Sequence, residues 1–320
     1  MKRGLVIGKF MPVHNGHITL INFAEVQCDE LIVSMSYTPQ DPIDAKLRFS
    51  WLCDIFKDRP NIKPSLVEDN FDNESLSLEE RTKLWAKFVQ KTFPPIDLVF
   101  SSEAYGDPLA RHLGAHHHSF DPQRKSVPVS ASVIRERPLR HWDFIPLVVR
   151  PYFVKKICFY GPESTGKSVM AQKMAAIYNT EFVPEVAREL IDSNDFTVED
   201  IVRIGHAHHQ RICEKLKTAN KFLFCDTDVI TTQIYSRHYL NEVPPVLFEL
   251  EKQTHYDLYF LFDIDVAWVE DGLRDLGDQR TMMYDVFKNE LQKRNIPFLP
   301  VKGTWAEREQ FITRHVNALI

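Results

Sequence analysis

The glycine-containing segment Gly161–Ser168 constrains the fold of this chain more than any other part of its sequence. Its spacing, G-x-x-x-x-G-K followed by Ser or Thr, is typical of a phosphate-binding loop. The apolar run Ile157–Tyr160 precedes it and the helical pattern Val169–Tyr178 follows it, which predicts a strand, a loop and a helix. The predicted loop consists of Gly161, Pro162, Glu163, Ser164, Thr165, Gly166, Lys167 and Ser168.

Each residue type in such a loop has its own task. The backbone amides hold the phosphates of a nucleotide, the lysine reaches the β and γ oxygens, and the serine hydroxyl binds Mg²⁺. We therefore predict an ATP site formed by this P-loop, with Lys167 as a catalytic residue and Ser168 as a metal ligand.

Short apolar runs alternate with longer amphipathic segments through the whole chain. Strands that alternate with helices predict the α/β class with doubly wound parallel sheets, in which ligands bind beyond the carboxyl ends of the strands. The clearest helical pattern begins at Ser77, where Glu80 three residues later predicts a capping box. The candidate strands are Leu5–Ile7, Leu31–Met35, Leu98–Ser101, Ile157–Tyr160, Phe222–Cys225, Leu258–Phe262 and Phe298–Val301.

A boundary between two domains is predicted near residue 150. The chain has 320 residues, which is too long for one ordinary core and suits two. The segment Pro138–Pro151 holds three prolines, and a new strand starts at about Ile157. We predict two doubly wound parallel-sheet domains, over residues 1–150 and 151–320.

Composition restricts the class of partner. The net charge of −5, from 39 basic and 44 acidic residues, argues against a protein built to bind nucleic acid. The five cysteines show no C-x-x-C spacing and fit reduced thiols. No apolar stretch suits a signal peptide or a membrane span. We expect a cytoplasmic protein without a membrane or nucleic-acid partner; the oligomeric state, including a homo-oligomer, is open.

A second phosphate-type turn follows the first predicted strand. His14 and His17 are three residues apart, so they share a face of the helical turn that begins there. The free amides and partial positive charge of that helix N-terminus would complete a phosphate clamp. A polar loop is the alternative interpretation of the pair. The residues that favour the clamp by occurring together are Gly8, Lys9, Phe10, Pro12, His14, Gly16 and His17.

This pattern resembles the first signature of the HIGH-type nucleotidyltransferase superfamily, which implies a Rossmann-like fold for the front half. Val129–Arg135 resembles the second signature of that superfamily, in which a serine and an arginine bind ATP phosphates at a helix N-terminus. Ser132 stands where threonine is usual, and the hydroxyl is retained. The resemblance implies ATP binding by Gly8, Phe10, Gly16, Ser130 and Ser132.

Two further segments, Ser101–Gly106 and Phe120–Arg124, resemble the bifunctional nicotinamide-mononucleotide adenylyltransferase/ribosylnicotinamide kinase family, the NadR type. The resemblance implies transfer of AMP from Mg-ATP to nicotinamide mononucleotide, which gives NAD and pyrophosphate. Substrate-binding roles are implied for Tyr105, Asp121 and Arg124. It further implies that the transferring phosphate is stabilised, without a covalent intermediate, by Lys9, His14, His17 and Arg135.

Acidic residues in the back half are candidates for the metal site and the catalytic base. Phe222–Asp226 is an apolar strand that ends in an acid, so Asp226 is either an Mg²⁺ partner or the base for the acceptor hydroxyl. Glu185 is the other candidate base, with Arg188 as an orienting cation; a surface pair at a helix start is the alternative.

A possible lid follows the strand Leu258–Phe262. Arginines over the phosphates stabilise a transferring phosphoryl group in small-molecule kinases, and Arg274 and Arg280 fit that role by position. Trp268 is a candidate to stack on a cationic nicotinamide ring or else a core residue. This half resembles the ribosylnicotinamide kinase part of the same family, which implies conversion of nicotinamide riboside and ATP to nicotinamide mononucleotide.

Several alternatives compete with these interpretations. A transferase–kinase fusion of the coenzyme A type would carry the same two broad motifs, and a non-catalytic sensor of NAD or ATP would need only binding. One of the two domains could also be vestigial. Some family members carry an N-terminal helix-turn-helix; here the first strand begins by Leu5, so we expect no operator binding. We interpret His116–His118 as a solvated loop rather than a metal site.

Overall fold

The computed structural model describes residues 1–70, 72, 75–269 and 275–320. The chain divides into two compact units, Met1–Arg150 and Pro151–Ile320, at the position where the prolines of the sequence suggest a boundary. Each unit contains one five-stranded sheet in which all neighbouring strands are parallel. The predicted α/β class with two parallel sheets is confirmed.

The sheet of the first unit has the strand order β3-β2-β1-β4-β5. The order reverses between β1 and β4, which is where ligands of doubly wound sheets bind. Its strands are β1 (Arg3–Gly8), β2 (Glu30–Tyr37), β3 (Ile62–Glu68), β4 (Leu98–Ser101) and β5 (His116–Ser119). Its helices are α1 (Asn15–Glu25), α2 (Ala45–Phe56), α3 (Leu78–Thr92), α4 (Gly106–Leu113) and α5 (Ala131–Glu136), with 3-10 turns at Trp142–Phe144 and Arg150–Tyr152.

The sheet of the second unit has the order β10-β9-β6-β8-β7, so its first strand lies in the centre. Its strands are β6 (Lys155–Tyr160), β7 (Glu181–Val183), β8 (Phe222–Asp226), β9 (Leu258–Phe262) and β10 (Leu299–Val301). Its helices are α6 (Lys167–Ile177), α7 (Ala187–Leu190), α8 (Val198–Leu216), α9 (Val229–Leu240), α10 (Pro245–Gln253), α11 (Arg280–Lys293) and α12 (Trp305–Asn317), with a 3-10 turn at Gly277–Gln279.

The central strands are apolar because helices cover both faces of each sheet. All residues of β4 and all residues of β8 are buried. In the second unit the ring of Phe159 lies 5.2–5.8 Å from the rings of Phe224, Phe260 and Phe262, which belong to the two strands beside it. This aromatic layer fixes the strand that leads into the P-loop.

The seven predicted strands are present, and the three strands that the sequence did not predict are all sheet edges. These are β3, β5 and β7, which pair on one side only and are more polar than the central strands. The interpretation of His116–His118 as a loop is wrong, because these residues pair in register with β4, His116 opposite Leu98. Within the described ranges, every helix is too short or too polar to cross a bilayer.

Helix α3 begins as its sequence predicts. Ser77 is the N-cap, its hydroxyl accepts a hydrogen bond from the Glu80 amide at 3.3 Å, and the Glu80 carboxylate accepts from the Ser77 amide at 3.0 Å. We expect Ser77→Ala to lower the free energy of unfolding of this unit by about 1 kcal/mol, the usual worth of an N-cap. Urea unfolding measured by circular dichroism checks this value. Lys83→Ala, on the exposed face of the same helix, is the control; an equal loss in both variants would contradict the cap.

Candidate active sites

A cavity of about 360 Å³ opens at the carboxyl end of β1, where the strand order of the first sheet reverses. The structure brings all the residues predicted for the front site to this one cavity. Those that line it are Gly8, Lys9, Phe10, His14, Gly16, His17, Tyr105, Asp121, Arg124, Ser130, Ser132 and Arg135.

The two histidines are held by the first turn of α1. His14 is the N-cap, and its Nδ1 accepts a hydrogen bond from the amide of Gly16 at 3.1 Å. The Nδ1 of His17 accepts from the amide of His14 at 3.3 Å, and the two rings stack with centroids 3.8 Å apart. Because both Nδ1 atoms accept, each neutral ring carries its proton on Nε2 and can donate it to a ligand.

Burial keeps both histidines neutral at physiological pH. It lowers the pKa of His14 to about 4, and the positive charge of Arg124 contributes to the shift. Burial, with the neighbouring His14 and Arg124, lowers the pKa of His17 well below its ordinary value. The pair therefore supplies neutral hydrogen-bond donors, while Lys9, Arg124 and Arg135 supply the positive charge around the cavity.

Gly16 is required by the packing of the capping histidine. A Cβ at this position would lie 2.9 Å from Cε1 of His14, too close for ordinary contact. The glycine thus permits His14 to fold back over the helix end, which explains why these two residue types occur together in the motif.

Arg135 joins the second signature to the first loop. Its guanidinium donates to the carbonyl of Met11 and, at 3.2 Å, to the hydroxyl of Ser132. Ser130 is the N-cap of α5 and accepts from the amide of Val133 at 3.4 Å. The two segments that the sequence analysis treated separately therefore meet at one wall of the cavity.

A buried arginine that the sequence analysis did not single out supports the same loop. Arg48 on α2 is fully buried, forms an ion pair with Asp41 at 2.6 Å and donates to the carbonyls of Lys9 and Ile43. Its signal in the sequence is a charged residue on an otherwise apolar helix face, together with Trp51 and Leu52. Arg48 thereby fixes the backbone from which Lys9 projects.

The turn that contains Tyr105 lies beside β5, the edge strand His116–Ser119. The Tyr105 hydroxyl donates to the carbonyl of Ile7 at 3.0 Å, and burial raises the pKa of that hydroxyl. Beneath it, the His117 ring lies between the Ser101 hydroxyl at 3.0 Å and the Asp107 carboxylate at 2.7 Å. Ser101 is fully buried and the Asp107 carboxylate is largely exposed, so this Ser–His–Asp chain connects the buried end of β4 with the surface and supports the turn.

Asp121 closes the loop that carries Arg124. Its carboxylate accepts from the amides of Lys125 and Ser126, each at 2.8 Å. The Arg124 guanidinium lies 3.4 Å from the carboxylate of Glu103, and both are solvent-exposed. Asp121 therefore supports the cavity wall, in addition to lining it.

In the second unit the P-loop connects β6 with α6, and both its glycines have positive φ, 135° at Gly161 and 88° at Gly166. A Cβ on Gly161 would lie 2.9 Å from the carbonyl of Phe262, and one on Gly166 would lie 2.5 Å from the Trp305 ring. Inside the loop, the Lys167 ammonium donates to the carbonyl of Pro162 at 2.7 Å. The predicted loop residues thus form one compact turn.

A second buried arginine supports this loop. Arg308 on α12 donates to the carbonyl of Thr165 at 2.7 Å and forms an ion pair with Asp265. Its guanidinium lies 5.7 Å from the ring of Phe262 and 5.9 Å from that of Trp305. Sequence reasoning missed Arg308 because it lies far along the chain from the loop that it holds.

Asp226 ends β8 beside the P-loop. Both oxygens of its carboxylate are buried, and the hydroxyl of Ser168 lies within hydrogen-bonding reach of it. Burial raises the pKa of Asp226 to about 6 and the charge of Glu185 adds to the increase, while Lys167 and the contact with Ser168 oppose it. A carboxylate beside the P-loop hydroxyl of Ser168 has the donor chemistry that Mg²⁺ requires.

A smaller cavity of about 70 Å³ lies next to the P-loop. Glu185 and Arg188, which form an ion pair at 2.7 Å, both line it, whereas Asp226 does not. Burial lowers the pKa of His208, another lining residue, to about 4, so its ring is neutral. The aromatic part of the lining is Phe196, Tyr235 and Tyr239.

Of the residues predicted for the lid, the structure describes Arg280 and Trp268. Arg280 donates to the carbonyls of Val266 at 3.1 Å and of Ser164, in the P-loop, at 3.2 Å. Its guanidinium lies 5.5 Å from the ring of Trp268, which is half-buried beside the P-loop and is not part of the core. Arg274 lies outside the described residues.

Comparisons with known proteins identify relatives of both halves of the chain. A family described as "AAA domain" matches residues 156–308. The trifunctional NAD biosynthesis/regulator protein NadR of Escherichia coli is 32% identical, over 99% of this chain and 81% of its own length. The nicotinamide-nucleotide adenylyltransferase of Thermococcus kodakarensis is 29% identical over 49% of this chain and 84% of its own. A crystal structure of NadR protein in complex with NR has a TM-score of 0.83 at 21% identity, covering 99% of this chain and 95% of the other.

The fold and the two phosphate-type loops define a two-domain α/β transferase. The chain belongs to the NadR family, and it is an enzyme of NAD biosynthesis.

The hydrogen bonds of the histidine pair predict its titration. We expect His14 in the folded protein to titrate at about pH 4 with its neutral ring protonated on Nε2. Since its folded pKa lies below the ordinary 6.5, the corresponding stabilisation is present above pH 6.5 and is lost as the pH falls towards 4. Histidine NMR, with the signal assigned by its loss in His14→Gln, measures both properties. A midpoint near 6.5 would contradict the buried, stacked arrangement.

Proposed function

We propose that the first unit transfers AMP from ATP to nicotinamide mononucleotide, and that the second unit phosphorylates nicotinamide riboside with ATP. The product of the second reaction is then the substrate of the first, so one chain converts the riboside to NAD. The proposal rests above all on the front cavity, in which both signature segments converge on one ligand-sized space.

The chemistry of the front cavity suits transfer between phosphates. An in-line displacement needs positioning and stabilisation of developing negative charge rather than a protein nucleophile. The Nε2–H groups of His14 and His17 are preorganised donors for this charge, and Lys9 and Arg135 are the cations beside them. The similarity of this half to an archaeal nicotinamide-nucleotide adenylyltransferase supports the same assignment.

We assign magnesium to the ATP that each unit uses. In the second unit Ser168 and Asp226 would hold the ion, which would neutralise the negative charge of the phosphates. Lys167, now bonded to the carbonyl of Pro162, would turn to the β and γ phosphates. Arg280, whose contact with Ser164 places it at the loop, would stabilise the transferring group.

The positions of the two acids support different roles for them in the kinase. Glu185 lines the smaller cavity next to the P-loop, which we propose binds the riboside and call the acceptor cavity. Arg188 orients the Glu185 carboxylate, so we propose that Glu185 removes the proton of the ribose hydroxyl. Asp226 does not line that cavity. It lies close enough to Lys167 for the lysine charge to lower the Asp226 pKa, and this position favours Asp226 as the metal ligand.

Substitution of one residue in each unit should separate the two activities. We expect Lys167→Ala to abolish phosphorylation of the riboside but to spare adenylylation, because only the P-loop loses its phosphate ligand. His17→Ala should reduce adenylylation by about 10²–10³-fold, the usual effect of losing one preorganised donor, and spare phosphorylation. Chromatographic assays with each substrate and ATP measure both rates.

Matched controls are available in the same two units. Lys173→Ala on α6, whose side chain forms a surface ion pair with Glu309, and His116→Ala on the exposed edge strand should leave both rates unchanged. Loss of both activities in either single variant, in a protein that remains folded, would refute the two-site account.

The two acids should respond differently to neutralisation. Glu185→Gln should lower the kcat of phosphorylation by at least about 10²-fold, the usual worth of a general base, at every Mg²⁺ concentration. Asp226→Asn should instead raise the Mg²⁺ concentration needed for half-maximal rate. Titrations of Mg²⁺ at saturating riboside distinguish these effects, with Glu199→Gln on the exposed face of α8 as the control. The reverse pattern would exchange the two roles.

A further inference from the structure

The P-loop residue Glu163 carries a side chain that the phosphate-binding function of the loop does not use. Its Oε2 is buried and, among the described residues, has no hydrogen-bond partner. The carboxylate as a whole accepts a backbone hydrogen bond from Leu276. A buried carboxylate oxygen without a partner is costly, so it is retained where a ligand or a conformational change provides one. The ionised carboxylate is repelled by the ATP phosphates, which are themselves negatively charged.

The location of Glu163 indicates which ligand it meets. It lines the acceptor cavity together with Glu185 and Tyr235, and with Trp268 and Pro162 it also lines the narrow space beside the P-loop. The carboxylate therefore lies between the phosphate loop and the aromatic side chains that would surround a flat ring.

The smaller cavity carries an excess of acidic side chains, although the cations Lys167 and Arg280 also lie near the Glu163 carboxylate. The charged residues of its described lining are Glu163, Glu185 and Arg188, two negative and one positive, a net charge of −1. Arg188 is bonded to Glu185 at 2.7 Å, and His208 is neutral because burial lowers its pKa. A ligand with one positive charge would balance this lining, and a neutral nucleoside would not.

We propose that Glu163 is a specificity-determining residue, which selects substrates whose ring is a pyridinium cation over nucleosides with an uncharged base. This inference rests on the proposed riboside kinase activity. Nicotinamide riboside carries a positive charge on the ring nitrogen that joins the ribose, whereas its reduced dihydro form has nearly the same shape and no charge. Attraction between the carboxylate and the ring is stronger than in bulk water because Oε2 of Glu163 is buried.

The pH dependence of the substrate preference gives a second test of the proposal. Burial raises the pKa of the Glu163 carboxyl to about 7, and the negative charges of Asp275 and Glu185 add to the increase while Lys167 opposes it. Preference for the cation should therefore rise as the pH increases through about 7, where Glu163 loses its proton. The titratable and charged groups around it are Glu185, Asp275, Lys167, Tyr235 and Tyr239, with Arg188 and His208 in the smaller cavity and Arg280 in the narrow space beside the P-loop.

The test compares two substrates in the full-length chain. Phosphorylation of nicotinamide riboside and of dihydronicotinamide riboside is measured, and the ratio of the two kcat/KM values is taken for each variant. Glu163→Gln should lower this ratio at least about tenfold, mainly through the KM for the cation, since removing one partner of a buried charge pair costs several kcal/mol. The ratio cancels any general effect of the substitution on the P-loop.

Two further variants sharpen the result. Glu163→Asp keeps the charge on a shorter side chain and should restore part of the ratio and its rise with pH. Glu249→Gln, at an exposed carboxylate of α10 paired with Lys252, should leave the ratio and both rates unchanged.

The outcomes separate this inference from the proposed function. An unchanged ratio in Glu163→Gln overturns the role of Glu163, whether or not both rates fall together. If the unsubstituted chain turns over neither riboside, the kinase proposal fails, and calorimetric binding of the two ribosides still tests Glu163. Binding of neither riboside would overturn both.

Discussion

Both sites depend on cationic side chains that bind the carbonyl groups of a phosphate loop from behind. A loop whose amides face a ligand turns many of its carbonyls towards the protein, where each needs a donor. Arg48 provides one at Lys9 in the first unit, and Arg308 provides one at Thr165 in the second. Both arginines are fully buried, and each is balanced by an aspartate, so the arrangement holds before any nucleotide arrives.

The cationic side chains that we propose for catalysis also donate to loop carbonyls. Arg135 donates to the carbonyl of Met11, Lys167 to that of Pro162 and Arg280 to that of Ser164. The cations that we propose as catalytic thus donate hydrogen bonds to loop carbonyls. A nucleotide would exchange these contacts for its phosphates, so that little reorganisation is needed at the moment of reaction.

The two units use different electrostatics for related tasks. The first places two neutral imidazoles, with pKa values lowered by burial, beside Lys9, Arg124 and Arg135, so that its donors do not change charge near neutral pH. The second places the buried carboxylate of Asp226 next to Lys167, where we propose a site for a divalent ion. Burial keeps the donors neutral in the first unit, whereas in the second it raises the pKa of an acid that a divalent ion would stabilise in its ionised form.

The sequence predicts the parts of this arrangement that are local. The motif around His14 and His17, the P-loop and the cap at Ser77 each lie within a few residues, so their spacing carries the geometry. The supports are not local: Arg48 lies 39 residues from Lys9, and Arg308 lies 143 residues from Thr165. The edge strand β5, which contains His116–His118, was wrongly predicted to be a loop for a related reason. Its pairing with β4 and its contact with Gly106 form only when the chain folds.

The central claim is that two transferase sites in one chain act in sequence on one substrate. The most direct test is a time course with Mg-ATP and nicotinamide riboside, followed by chromatography of the nucleotides. The account predicts that nicotinamide mononucleotide appears first and NAD after a lag. Mononucleotide without NAD would contradict the assignment of the front cavity. Neither product, from a folded protein that binds ATP, would contradict the account as a whole.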